Sequence, residues 1–333
     1  MAGVKPLRKI QLGLEATAGT AVAATTIWRG MGMIQDGIEP VQVEEDLGLL
    51  VPSDRSYVPY LAAEFEMDEV EATFEQLPYI LSAGIENVVT GAADGVGSGK
   101  IYPYDPPLAA AGAVKTYTIE GGDNAGAEEM EYAFVQDFKL SGKAKEALMM
   151  SATWLGRQVA TSSFTAALSV PPVEEILFGK GKLYIDAGGG TIGTTLKSNT
   201  FLEMSLSWKT GWVPAWTAEG QLYFSFIKPT MPEVKLEITF EHDATSIAEK
   251  AAWRAQTQRL IRLLFQGSAL TTPGTAYTYK TLQIDLAGKW ASFDKIDEKD
   301  GNDIVKGTLI AGYNSTYAQM GQIIVVNELA SLP

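Results

Sequence analysis

Cysteine is absent from the 333 residues, which removes disulfide scaffolds, thiolate zinc sites and cysteine nucleophiles together. Histidine occurs once, at His242, so little imidazole is on hand for proton transfer or metal ligation. No apolar run reaches the ~18 residues that a membrane-spanning helix needs. The stretch from Met1 to Ile10 carries Lys5, Arg8 and Lys9 with no apolar core behind them, and the reading expects no secretory signal there. Basic residues are in short supply, 26 against 40 acidic ones for a net charge of −14. A grip on a nucleic-acid backbone needs clustered Lys and Arg, so DNA binding is not expected.

What is present suits a β-rich chain. Hydrophobic residues make up 46%, enough for one large or two medium domains, and 33 glycines with 15 prolines supply many turns. In Val234 to Glu241, Val234, Leu236, Ile238 and Phe240 alternate with Lys235, Glu237, Thr239 and Glu241. Phe201 to Thr210 does the same, with Leu202, Met204, Leu206 and Trp208 against Glu203, Ser205, Ser207 and Lys209. Such period-two alternation sends one set to a core and the other to solvent or a partner. Tyr132 to Leu140, Ala147 to Arg157, Tyr277 to Leu286, Ile304 to Tyr313 and Gln322 to Asn327 read as further strands.

Two segments read as helices. One follows Asp243, with Ser246 and Glu249 as a capping box, Trp253, Leu260, Ile261 and Leu264 on one face, Arg259 and Arg262 in the last turns and Gly267 as its end. The other lies between Thr73 and Gly84, capped by Thr73 and Gln76 with a stripe of Leu77, Ile80 and Leu81, and Pro78 keeps it short. The strand before each helix ends alike, in Phe65-Glu66-Met67-Asp68 and Phe240-Glu241-His242-Asp243. A later strand ends in Leu140-Ser141-Gly142-Lys143 or Leu286-Ala287-Gly288-Lys289, and the next closes near Trp154-Leu155-Gly156 or Ile310-Ala311-Gly312. With Val41 to Leu50 and Phe201 to Thr210 as the strands in front, this order points to an internal duplication. The expected organisation is an N-terminal arm 1–37, a first domain 38–160 with a loop insertion 91–127, a linker 161–198, a second domain 199–316 and a tail 317–333.

Searches for chemistry end without a constellation. Gly91 to Lys100 has Asp94 where a phosphate-binding loop needs glycine, and Ile101 follows the lysine. Counting back from Gly301 puts Ile296 at the first position of a calcium loop, so Asp297 to Asp303 reads as a polar hairpin tip. His242 has no ordered nucleophile. Glu64, Glu66 and Asp68 share one strand face and read as a solvated acidic surface rather than a glycosidase pair. The expectation is no catalytic residue, no metal, no cofactor and no enzyme activity.

Four stretches carry a resemblance. Glu64 to Asp68 followed by Phe74-Glu75-Gln76-Leu77-Pro78-Tyr79-Ile80-Leu81, Lys115 to Glu120 with Gly122-Asp123-Asn124, Met149 to Gln158 with Ser151-Ala152-Thr153-Trp154-Leu155-Gly156-Arg157, and Gln11-Leu12-Gly13 with Ala18-Gly19-Thr20-Ala21 resemble the tail tube (major tail) proteins of long non-contractile-tailed bacteriophages. The likeness covers residues 1 to about 160, and the chain is about twice the length of a single-core member. It implies a mainly β fold of two tandem tail-tube-like β-sandwich or barrel domains, each with one flanking helix, whose inner sheets form a continuous barrel in a ring. It also implies a structural virion protein, made in the host cytoplasm, whose stacked, trimeric and pseudo-hexameric rings form the tube through which DNA passes. Implied partners are other copies of the chain, a tape measure protein in the lumen, and terminator and baseplate proteins at the ends; no membrane is involved. Asp46, Leu49, Arg55, Tyr57, Trp212 and Trp216 are candidates for contacts between subunits or rings, since exposed aromatics suit interfaces. Glu131, Asp137, Glu203, Ser205 and Ser207 are candidates for the lumen. Two rival readings are another phage tail ring component, such as a terminator or baseplate hub, and a carbohydrate-binding β-sandwich built on Trp208, Trp212, Trp216 and Tyr223.

Overall fold

Apolar residues at every second position fix the strands, and the computed structural model describes residues 3–110 and 112–333. The chain is mainly β, with strands at Glu233–Glu241, Phe201–Lys209, Ala127–Lys143, Met149–Gly156, Tyr279–Phe293, Asn302–Ala311 and Gly321–Asn327. Along Glu233–Glu241, Val234, Leu236, Ile238 and Phe240 are buried while Lys235 is exposed and Glu237 half-buried. Apart from two short separate hairpins, the pairings among the described residues form one connected antiparallel network that does not close on itself. Asp300 and Gly301, both at positive φ, make the two-residue turn between Asp297–Lys299 and Asn302–Ala311, as right-handed strand twist favours.

Two α-helices are present among the described residues. The first (α1), Leu77–Gly84, begins after Thr73, whose hydroxyl accepts the Gln76 N–H at 3.2 Å. The second (α2), Ala244–Arg254, is shorter than the sequence suggests, and Arg259–Ala269 is a strand. Its capping box is Asp243 with Ser246, not Ser246 with Glu249. Gln256, at φ +51 just past the last turn, ends the helix in the left-handed cap conformation. Leu260, Ile261, Leu263 and Phe265 are then buried between two strand neighbours, a stronger demand than the weak helical spacing that suggested otherwise.

One pairing order occurs twice. In the first half, Thr26–Ile27 pairs with Lys9–Leu14, then in turn come Tyr117–Gly122, Ala127–Lys143, Met149–Gly156, Ala63–Glu71 and Gly32–Asp36. In the second half, Leu196–Lys197 pairs with Gly181–Ala187, followed by Arg259–Ala269, Tyr279–Phe293, Asn302–Ala311, Glu233–Glu241 and Phe201–Lys209. Both long strands carry a bulge opposite their hairpin partner, between Val135 and Asp137 and between Trp290 and Ser292. Matched on that bulge, Val135 corresponds to Trp290 and Asp137 to Ser292.

This register corrects several sequence readings. The tetrapeptides ending at Lys143 and Lys289 lie on opposite sides of the bulge, and Phe65 corresponds to Leu236 rather than Phe240, because each faces the equivalent residue, Trp154 or Leu309. Those likenesses are chance; the recurrence lies in the order of pairing. The strand ahead of Ala63–Glu71 is Gly32–Asp36, whereas of Val41 to Leu50 only Val41–Gln42 is strand. The N-terminal 37 residues and the stretch 161–198 each contribute strands to the network rather than serving only as arm and linker.

The segment after α1 ties the halves together. Lys100–Tyr104 pairs with Gly321–Asn327, and the Asp94 carboxylate accepts the N–H groups of Ala276 and Tyr277, both at 2.8 Å. One continuous core underlies both halves, with Trp154, Trp208 and Trp290 fully buried. Tyr117 meets Trp154 edge-on at 5.7 Å, a favoured aromatic arrangement that joins two strands not paired with each other.

Candidate functional site

Three surfaces stand out: a polar sheet face, a pair of hairpins and two open strand edges. The polar face is built where the halves meet. The outer edge of Ala127–Lys143 pairs with Phe201–Lys209 over seven residues, from Asp137 opposite Lys209 to Lys143 opposite Glu203. Residues opposite one another project to the same side, so Asp137, Ser141, Glu203, Ser205 and Ser207 share one face, which continues to Lys235 and Glu237 and to Lys306 and Thr308. Of the lumen candidates, Glu131 is not brought to this face. It lies beyond the bulge, accepts from Gln158 at 3.4 Å, and has its carboxyl pushed up by burial against the opposing pull of Arg157.

Part of the charge on the face is paired, while Lys139, opposite Ser207, is exposed with no ion pair among the described residues. Lys209 meets Glu233 at 2.8 Å, and Lys235 and Lys306 both meet Glu237 at 2.5 Å. Burial opposes ionisation of Glu237, but hydrogen bonds from the two lysines outweigh it and hold its carboxyl below the usual range. Asp137 goes the other way, its carboxyl raised by burial despite help from Thr153 and Lys209.

The hairpins interrupt the equivalent place in each half. Val41–Gln42 pairs with Ser56–Tyr57 between Gly32–Asp36 and Ala63–Glu71, and Trp212–Ala215 pairs with Phe226–Pro229 between Phe201–Lys209 and Glu233–Glu241. In the first hairpin Glu45 accepts from Ser53 and Arg55, holding out Leu49, Leu50 and Val51, all exposed. Asp46 and Tyr57 are exposed there too. The second presents Trp216, half-exposed with edge contacts to Tyr60 and Phe224. Trp212 is not exposed. Its ring is buried with Tyr132, Phe134 and Phe224, and its indole N–H donates to the Gly84 carbonyl at 3.1 Å, so it holds α1 to the second half instead of reaching a partner.

The row of strands that carries the polar face ends in two edges with no partner among the described residues. Gly32–Asp36 pairs only with Ala63–Glu71, and beyond Gly288 the strand Tyr279–Phe293 pairs only with Asn302–Ala311. The Trp290 and Ala291 carbonyls at its bulge are met by Gln256 at 3.4 Å and Trp253 at 3.0 Å, so the open edge begins at Ser292. Both edges display apolar side chains, Met31 and Met33 on one and Ile296 on the other. The helices differ likewise: every residue of α1 is buried, whereas α2 buries only Ser246, Glu249 and Ala252.

No group of three or more metal-ligating side chains lies together among the described residues. His242 is half-buried, its backbone N–H donating to Asp303 at 2.9 Å, and Glu64, Glu66 and Asp68 are exposed on one strand. A cleft of about 270 Å³ where the halves meet is walled by Gly84, Pro106, Pro107, Trp208 and Trp212 and bears no titratable side chain. Trp208 is buried and stacked on Phe138 at 5.8 Å, so the tryptophans do not form the open platform a sugar needs. Sequence reasoning missed Ile296 and Ile247 as exposed apolar positions; only knowing which edge lacks a strand reveals them. A scan of protein-family models matches no family to this chain, and no curated protein matches it.

Proposed function

We propose that the chain is a structural protein of the tail-tube type, in which three copies join head to tail into a ring and rings stack into a tube. The observation that carries this reading is the recurrence of one pairing order in both halves, joined edge to edge by Asp137–Lys143 and Glu203–Lys209, with an open edge left at each end of the row. A head-to-tail contact that repeats the internal one closes into a ring and removes exposed edges that invite aggregation. In this reading each half is one tail-tube-like domain. Four strands of each half lie in the continuous row, so six halves supply about 24. At ~4.8 Å per strand and a tilt of about 40°, the backbone diameter is roughly 48 Å. Side chains of about 5 Å on each wall leave a bore near ~38 Å, room for a ~20 Å duplex.

The polar face lines that bore. Three of its lysines are held by Glu233 and Glu237, Lys139 stays exposed without an ion pair among the described residues, and a wall with so few free cations lets DNA, with one negative charge per ~1.7 Å, slide without binding. The hairpin tip with Leu49 and Leu50 makes the axial contact between rings. A tape measure protein fills the lumen before DNA passes, and terminator and baseplate proteins meet the tube ends. Negative-stain microscopy over rising concentration tests the reading: long tubes support it, single rings favour a component used once per tail, and monomers at all concentrations overturn it. Deleting residues 46–53 should leave rings that do not stack; normal tubes from that variant refute the axial assignment.

A further inference from the structure

The internal junction supplies a residue-by-residue template for the contact between copies. On the bulge-matched register, Asp137, Phe138 and Lys139 correspond to Ser292, Phe293 and Asp294. Across the junction, Leu206 faces Leu236 and Ser207 faces Lys235, as Ile34 faces Phe65 and Gln35 faces Glu64, so Leu206 corresponds to Ile34, Ser207 to Gln35 and Trp208 to Asp36. Inside the chain, Phe138 pairs with Trp208, Lys139 with Ser207 and Leu140 with Leu206. We infer that the open edge from Ser292 of one copy pairs antiparallel with Gly32–Asp36 of the next, with Phe293 opposite Asp36, Asp294 opposite Gln35 and Ile296 beside Ile34.

Three features of the edges fit this occupant. First, the pair Leu140 and Leu206 is fully enclosed, while the apolar residues in the matching places are incompletely covered: Ile296 is 50% exposed and Ile34 half-buried. A second copy covers what the isolated chain leaves in water. The second half inserts one extra residue here, since Phe293 faces Gly307 but Asp297 faces Ile304, and this bulge brings Ile296 to the position of Leu140. Second, the edge is open only from Ser292 onward, the two bulge carbonyls before it being occupied by Gln256 and Trp253, just as the carbonyls of Val135 and Gln136 are taken by the Thr210 hydroxyl inside the chain. The contact therefore starts at one defined residue, which sets the register. Third, Thr73 and Asp243 correspond, the side chain of each receiving the N–H three residues on and its carbonyl the N–H four residues on. Leu77 of α1 then corresponds to Ile247 of α2, the first fully buried and the second 57% exposed, so α2 also lacks the cover that α1 has.

This inference rests on head-to-tail assembly of the proposed kind but not on stacking into tubes. The absence of native cysteine makes the test direct. The double variant Gln35→Cys with Asp294→Cys places two thiols at opposing exposed positions on separate copies; Met31→Cys with Asp294→Cys is the out-of-register control. Under mild oxidation the first should give disulfide-linked dimers and trimers, with a yield at least tenfold above the control. Slowed amide exchange of 32–36 and 292–298 on assembly is the second readout, made on the unaltered chain. Rings or tubes without the Gln35–Asp294 link and without that protection overturn the register while leaving assembly intact. Linked trimers that never stack support the register and overturn the tube. Equal linking of both pairs, or no association at all, overturns the inference.

Discussion

Leu206→Ala and Ile296→Ala alter matching seams and should have opposite consequences. Leu206 is fully buried opposite Leu140, so truncation removes a buried side chain and leaves a cavity, a loss of about 3 kcal/mol of folding stability within the usual 2–5 range. Ile296 is half-exposed, and by area its truncation should cost the isolated chain only about 1 kcal/mol. Complete burial of such a side chain is worth about 1.5–3 kcal/mol, so the half still in water contributes about 1 kcal/mol to each contact between copies. That is roughly a fivefold weaker association per junction. Urea unfolding followed by tryptophan fluorescence, at concentrations below assembly, reads the first quantity; sedimentation velocity over a concentration series reads the second. If Ile296→Ala lowers the unfolding midpoint as much as Leu206→Ala, or leaves the association constant unchanged, the reasoning fails.

Other perturbations probe the pieces separately. Glu249 is buried and accepts from Arg259 at 2.8 Å and from the Trp290 indole at 2.9 Å; Glu249→Ala strands both donors and should cost about 3 kcal/mol, with Glu249→Gln milder, as urea midpoints will show. The folded value of Glu237 is depressed below its ordinary 4.5, so its contribution is complete above that pH and is lost as the pH falls through the lower folded value. The stability gap between the native chain and Glu237→Gln should therefore be full at pH 7 and narrow as the pH falls below 4.5. Asp137 has the opposite sign: its value is raised from 3.8, so its charge opposes folding once the pH exceeds that range. Asp137→Asn should stabilise the chain at pH 7 and be neutral at pH 3, and a destabilised variant at pH 7 contradicts that assignment.

The strands were legible where one face is buried and the other is wet, because alternation then reports directly on a half-exposed sheet; Glu233–Glu241 and Phe201–Lys209 are the clear cases. Arg259–Ala269 was hidden because it is buried over adjacent residues such as Leu260 and Ile261, and a fully covered strand loses the period that identifies it. Lys9–Leu14 shows the same loss, with Ile10 to Gly13 all buried. Trp212 misled for a related reason: an aromatic in a loop suggests a surface, but its N–H bond to Gly84, 128 residues away, depends on how two distant elements dock. The place of each helix start was readable, just past Thr73 and Asp243, although the cap of α2 was assigned to Ser246 and Glu249 instead of Asp243 and Ser246; the end of α2 was not readable, since Gln256 rather than a glycine adopts the left-handed conformation.

Lys100–Tyr104 lies across the boundary between the halves, and Asp94 fastens the neighbouring loop. The matching edge in the first half, Val159–Ser162, receives no such strand among the described residues. In the ring proposed above, three copies would therefore have joints of two kinds in alternation, stitched and unstitched. Outward load from a tightly packed cargo would part such a ring between chains rather than within one, into three intact pieces.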